Sequence, residues 1–299
     1  MLFFFGLLFF FLILYLLLLL FTPKGNLLHE VLHLPVFWWQ ALSGKASGIQ
    51  EKRIHYGPHG RQYMLYFLPA EQPSQARLTV IYFHGGGWRF GHPEQFRAHA
   101  RLLTMQGYAV LLPSYRRTPR HCYRHMREDL DEILLTAHAL LQEQGLAHSP
   151  VVIGGMSAGG NMAALAALAP PAGLPTDWIK GLFALGAPLN LEQMSDSRTV
   201  RHFAGPRNQP MFREASPINY LNQGVNIPTL LLHGTLDGMV EFASVAAFAK
   251  KLKQHNRAET RFVILENSTH LNVAGWVFQP GLPREALLAW LKEREAPGL

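Results

Sequence analysis

Residues 151–161, VVIGGMSAGGN, leave the chain few ways to fold. Val151, Val152 and Ile153 form a short β-branched run of the kind found in buried strands. Gly155, Met156, Ser157, Ala158 and Gly159 follow, and a small-residue run with helical character begins at Met162. The spacing predicts strand, sharp turn and helix in immediate succession. Such a turn strains the backbone at Ser157 and leaves no room for a side chain at Gly155 or Gly159. It lifts the Ser157 hydroxyl above a sheet edge and aims a helix N-terminus at whatever that hydroxyl attacks.

The flanking sequence supplies the sheet. Residues 49–56 and 61–68 read as a hairpin across the Gly57-Pro58-His59-Gly60 turn. Further strands are expected at 78–83, 108–112, 151–153, 179–185, 229–232 and 261–265. Helices are expected at 93–106, 124–144, 162–169, 240–253 and 283–293. This alternation predicts an α/β fold, a mostly parallel central sheet with helices on both faces. Residues 190–223 are polar and proline-containing, break the rhythm, and form a candidate lid insertion.

The first segment has a different character. Residues 2–21 carry no charge and, as a helix, would extend about 30 Å, the thickness of a bilayer core. A signal peptide would start with basic residues and end at a small-residue cleavage site. This segment does neither and runs into Thr22-Pro23-Lys24. The expectation is an uncleaved transmembrane anchor over 1–22, a single pass that places the protein in a membrane. Lys24 is the only close positive flank, so the side of the membrane is undetermined. Residues 23–48 form a juxtamembrane or lid segment, with Phe37, Trp38 and Trp39 suited to a membrane interface or a buried lid face. The catalytic domain is expected over 49–299. Within the juxtamembrane segment, His29-Glu30-Val31-Leu32-His33 spells H-E-x-x-H, a zinc-peptidase pattern. Pro35 should disrupt the helix just after His33, and no third ligand is signalled downstream, so the match reads as chance and no metal is expected.

The formal charge is +7 and the pI about 9.6, with a basic concentration at residues 97–127. That region reads as a solvated face or as a contact for anionic lipid head groups. Neither zinc-finger spacing nor an RNP-type motif occurs, so nucleic acid is not an expected partner. The single cysteine, Cys122, cannot form an internal disulfide.

Chemistry gathers after the strands. His84-Gly85-Gly86-Gly87-Trp88 follows the strand at 78–83, and consecutive glycines let backbone N–H groups approach a ligand closely. Gly86, Gly87 and Ala158 are the expected donors of an oxyanion hole, with His84 a structural hydrogen-bonder of the loop. Asp237 follows the strand at 229–232, and His270 sits on the final loop after 261–265. Both lie at the sheet edge where ligands of open α/β sheets bind. The order Ser157, Asp237, His270 suits a nucleophile, an orienting acid and a general base. Glu241 is the alternative acid.

HGGGW, GMSAGGN, HGTLDGMV and the terminal STH together resemble the hormone-sensitive-lipase-like esterases of the α/β-hydrolase superfamily. Ser114-Tyr115-Arg116, Pro119 and Asp129 are similar to further features of that group, and the resemblance spans residues 78–291. Met156 departs from it, standing where the group usually has Asp. The resemblance implies the α/β-hydrolase fold and hydrolysis of carboxylic esters, often with short or medium acyl chains, without metal or organic cofactor. The implied partners are an ester or lipid-like small molecule and, through residues 2–21, membrane lipid; oligomeric state is left open. The alternatives are an amidase, formamidase or peptidase on the same fold, a zinc peptidase through His29, Glu30 and His33, and a non-catalytic binding protein.

Overall fold

The computed structural model describes residues 2–43, 50–70, 76–222 and 224–295, with all their side chains except those of residues 2, 3, 6 and 43. Its centre is an eight-stranded sheet: β1 (Gln50–His55), β2 (Tyr63–Leu68), β3 (Leu78–Phe83), β4 (Tyr108–Pro113), β5 (Val151–Met156), β6 (Ile179–Leu185), β7 (Thr229–Gly234) and β8 (Thr260–Leu265). The spatial order is β1-β2-β4-β3-β5-β6-β7-β8. β1 and β2 form an antiparallel hairpin, β2 runs antiparallel to β4, and β3 through β8 are parallel. Strand order reverses around β3 and β5, and such a switch point opens a crevice at the carboxyl ends of the strands.

Alternation along the strands sends side chains to two cores. In β3, Ile81 and Phe83 join one apolar cluster, while Leu78, Val80 and Tyr82 join the other. In β7, Leu231 faces the first cluster, and Leu230 and Leu232 the second. The helices follow in chain order: α1 (Leu2–Phe21), α2 (Leu27–Ser43), α3 (Arg97–Thr104), α4 (Tyr123–Glu143), α5 (Ala158–Leu168), α6 (Arg198–Ala204), α7 (Pro210–Glu214), α8 (Phe242–His255), α9 (His270–Ala274) and α10 (Leu282–Lys292). Leu130 of α4, Met162 of α5 and Phe248 of α8 build the first core; Leu103 of α3, Val273 of α9 and Trp290 of α10 build the second. The sheet is thus covered on both faces. The helix expected at 93–106 begins instead with a 3₁₀ turn, Pro93–Phe96, before α3.

The insertion holds α6, α7 and short 3₁₀ turns. Phe203 of α6 stacks on Trp88 at 4.1 Å between ring centroids, so α6 covers the glycine loop after β3. The expected junction at 48–49 and the insertion's expected last residue, 223, lie outside the described residues.

The N-terminal region corrects two expectations. Among the described residues no helix is long and apolar enough to cross a membrane. The transmembrane helix expected at 2–21 is therefore not shown. α2, for its part, continues through Pro35 to Ser43 rather than stopping after His33. Proline removes one backbone donor, but packing fixes the second half of the helix. Phe37 meets Phe278 edge-on at 5.7 Å and Trp38 meets Phe96 at 6.3 Å. Several of the basic side chains at residues 97–127 are paired within the chain: Arg97 with Glu51, Arg116 with Asp129 and Glu128, and Arg127 with Asp131.

Candidate active site

The turn after β5 has the geometry its residues predict. Ser157 has φ 54° and ψ −127°, a strained conformation for a residue with a Cβ, and it leads directly into α5. Its amide donates to the Leu185 carbonyl at 2.8 Å, which ties the turn to the end of β6. A Cβ on Gly159 would collide with the Phe83 carbonyl oxygen and stand 2.5 Å from that of His84. A Cβ on Gly155 would collide with the Phe83 oxygen and lie 2.7 Å from that of Gly159. Both glycines are therefore needed for the turn to pass under the neighbouring loop.

That loop is 84–88. Gly86 has φ +123°, and a Cβ there would strike the Phe90 carbonyl. A Cβ on Gly85 would stand 3.4 Å from Ser157 Cβ, which measures how closely the loop lies over the turn. Among the described residues no backbone carbonyl engages the amides of Gly86, Gly87 or Ala158, so these donors are free for a ligand. His84 is buried beneath the loop between Tyr115 (4.7 Å) and Phe96 (5.5 Å), stacked on both. Its Nδ1 lies 2.7 Å from the Gly85 carbonyl, and burial depresses its pKa to about 4. A neutral, enclosed ring of this kind shapes the loop and is not placed to exchange protons with a substrate. Tyr115 adds a hydrogen bond from its hydroxyl to the His84 carbonyl at 2.9 Å. The Asp129 carboxylate accepts from the Arg116 amide (2.7 Å), the Arg116 guanidinium (2.9 Å) and Gln62 (2.9 Å). Met156 is buried in the second core at the end of β5.

Asp237 follows β7 and His270 follows β8. Asp237 Oδ2 lies 2.7 Å from His270 Nδ1, and Oδ1 accepts from the amides of Met239 (2.9 Å) and Val240 (2.8 Å). His233, fully buried, lies 3.5 Å from Oδ2 and donates Nε2–H to the Val240 carbonyl at 3.0 Å. Burial alone would raise the Asp237 pKa, but the charge and hydrogen bond of His270, then His233 and the Val240 amide, hold it below the usual carboxylate value. Burial would likewise lower the His270 pKa. The Asp237 charge and hydrogen bond, with a contribution from Glu30, outweigh it and raise the value above 6.5. Glu241 is engaged elsewhere: it accepts from the Ser195 amide at 2.7 Å and from the Ser195 hydroxyl.

Gly186, at the end of β6, joins the two halves: a Cβ there would stand 3.3 Å from His270 Nδ1, 3.4 Å from Asp237 Oδ2 and 3.2 Å from Met156 Cε. Ser157, Asp237 and His270 therefore belong to one rim of the sheet. Among the described residues no hydrogen bond joins Ser157 Oγ to His270. Catalytic bonds of this type are often long or misaligned until substrate is bound. His270 is not on a loop, as the sequence suggested, but is the first residue of α9, behind the Thr269 N-cap.

The H-E-x-x-H match has a use of another kind. His33 Nδ1 lies 2.8 Å from the His29 carbonyl and His29 Nδ1 lies 3.1 Å from that of Thr22, with the rings 4.2 Å apart. Among the described residues no cluster of metal-ligating side chains occurs. Glu30 turns away from both histidines and is wholly buried. Its Oε1 accepts from the His270 amide at 2.6 Å and the Gly238 amide at 3.3 Å, and its Oε2 accepts from the Leu271 amide at 3.3 Å. Sequence reasoning missed this role. The one available signal was the single acidic residue of the 23–48 segment.

Comparison with known proteins identifies the family. The model of a family with the alpha/beta hydrolase fold matches residues 80–273, and the chain belongs to that family. Within it, the chain falls in the hormone-sensitive-lipase-like group. It is similar to Esterase LipC of Mycobacterium tuberculosis, 24% identical over 74% of this chain and 60% of that protein. It is also similar to an acetyl-hydrolase of Streptomyces hygroscopicus, 35% identical over 48% of this chain and 50% of the other. The chain thus spans 50% to 60% of the length of these relatives. Among solved structures, Esterase B of Lactobacillus rhamnosis matches with a TM-score of 0.71 at 17% identity, covering 88% of this chain and 91% of that one. That likeness is one of fold.

Proposed function

We propose that the protein is a serine hydrolase of carboxylic esters acting through an acyl-enzyme. The observation that carries this reading is the buried Asp237–His270 pair, 2.7 Å apart, on the same sheet rim as the strained Ser157 turn and the free amides beside it. Ser157 Oγ attacks the ester carbonyl and passes its proton to His270 Nε2 as the new C–O bond forms. The amides of Gly86, Gly87 and Ala158 hold the oxyanion. The imidazolium returns the proton to the leaving alcohol, and Asp237 stabilises its charge and fixes its tautomer. Water, deprotonated by the same imidazole, then releases the acid. The relatives' names, esterase and acetyl-hydrolase, support ester substrates with short acyl groups.

Insertion 190–223 is the lid of this site, since Phe203 stacks on Trp88 and a Cβ on Gly87 would meet Thr199 at 3.3 Å. We assign α1 a lipid-facing role, because Phe4, Phe5, Phe9, Phe10 and Phe11 are all more than half exposed. Apolar surface on that scale needs cover.

A fluorophosphonate probe should label Ser157, and Ser157→Ala should abolish both labelling and hydrolysis in a p-nitrophenyl acyl-length series. Retained activity in that variant overturns the reading, and faster turnover of matched amides than of esters reassigns the substrate. Co-flotation of the full chain with phosphatidylcholine vesicles tests α1, and failure to float removes its lipid role.

A further inference from the structure

The proposed reaction requires Asp237 and His270 to stay in register with Ser157, yet both lie on segments beyond the ends of β7 and β8, and β8 is the sheet's edge strand. Something must fix these segments relative to each other. Within each, Asp237 is braced by the amides of Met239 and Val240, and His270 is flanked by the Thr269–Asn272 capping pair. Between them, besides the Asp237–His270 bond, the Leu236 amide donates to the Ser268 carbonyl at 3.0 Å. The Asn267 amide also donates to the Thr235 hydroxyl at 2.9 Å, and a further link comes from more than 200 residues away in the chain, through Glu30.

We infer that Glu30 is a positioning residue of the active site, whose carboxylate clamps the backbone of the Asp237 loop to the backbone at His270. Its oxygens collect three amides, one from Gly238, next to the acid, and two from His270 and Leu271. The clamp is enclosed, since Glu30 has 0% exposure and a Cβ on Gly238 would stand 2.7 Å from the Asn26 carbonyl at the start of α2. Backbone N–H groups can only donate, so these contacts require an acceptor and would be left unpaired by an apolar side chain.

The clamp also acts electrostatically. The charged and titratable groups facing His270 are Asp237 on the β7 loop and Glu30 on α2, with His233 of β7 behind Asp237. The imidazolium of the proposed reaction thus forms between two buried carboxylates, one on its Nδ1 side and one at its own amide. Glu30 accordingly contributes to the raised His270 pKa.

This arrangement makes the N-terminal helices part of the site. α2 carries Glu30 and is held to the domain by Phe37 and Trp38, and α1 joins α2 through a hydrogen bond from the Tyr15 hydroxyl to the Leu32 carbonyl at 2.7 Å. A displacement of α2 would pull the clamp from His270.

The inference rests on the proposed triad, and its test separates the two. In the full-length protein, Glu30→Ala should lower kcat about 100-fold with KM little changed, the scale expected when a reacting group is misplaced by about 1 Å. Glu30→Gln keeps the acceptor for His270 and Gly238 but presents an NH₂ to Leu271 and loses the charge. It should lose less kcat, and the acid limb of its kcat/KM profile should move to lower pH, because His270 no longer has the second anion beside it. A role confined to stability would leave that limb in place. If Glu30→Ala does not fold, the folded Glu30→Gln carries the test. An unmoved acid limb in Glu30→Gln, or wild-type kcat in a folded Glu30→Ala, overturns the clamp. Fluorophosphonate labelling of wild-type Ser157 reports separately on the triad. Its absence fells the proposed function, whereas labelling with unaltered Glu30 variants fells only the clamp.

Discussion

The two halves of the site are held by different means. The nucleophile half, Ser157 with the 84–88 loop, sits at the switch point between β3 and β5 and is fixed by backbone. Its glycines allow main chain to touch main chain, and strand neighbours lie on both sides. The acid–base half, Asp237 and His270, sits toward the β8 edge; besides the Leu236–Ser268 backbone bond it is fixed by side chains, among them the carboxylates of Asp237 and Glu30. A backbone-built half is rigid and local. A half built on side chains can be placed accurately, but it depends on whatever element supplies them, here a helix from the start of the chain.

Substitutions can break or sharpen that contrast. Ser157→Ala should have the largest effect, a loss on the order of 10⁶ in kcat by the precedent of a serine protease, with melting temperature nearly unchanged. Asp237→Asn should cost up to about 10⁴ by the trypsin precedent. It should also shift the acid limb to lower pH: with Asp237 charged, His270 titrates above 6.5, so activity falls as pH drops through that higher value. A limb that stays put would show that Asp237 does not govern His270. Gly86→Ala probes the backbone-built half. Its Cβ would collide with the Phe90 carbonyl and displace a donor amide, so kcat should fall about 10²–10³-fold while the acid limb is unmoved. A moved limb would mean that the two halves are not separately held. His29→Asn with His33→Asn should be the mildest, within about 3-fold of wild type, because both rings bond to backbone carbonyls of the N-terminal segment, away from the triad. Full activity after dialysis against a chelator should accompany it. Loss of activity in both tests would restore a metal role for these histidines; loss in the variant alone would report a displaced α2.

The contrast also marks where sequence reading worked. The segment around Ser157 was legible because its constraints are local: a β-branched run, glycines at the two close approaches and a small-residue helix can fold in few ways. The positions of Asp237 and His270 followed from strand alternation and chain order. Glu30 was not legible. Its partners are backbone amides, which leave no signature in residue identity, and its H-E-x-x-H setting read as a chance match. Pro35 misled for a related reason. Its local cost is real, but the packing of Phe37 and Trp38 outweighs it.

The chain's own residues determined the alternating α/β architecture, the strained serine turn and the glycine loop over it, because short-range sterics and periodicity dictate them. Only the tertiary structure decided which helix supports His270. It also decided that Glu241 serves Ser195 rather than the imidazole. Both outcomes rest on contacts between segments far apart in sequence, and burial chooses among many chemically equivalent partners there.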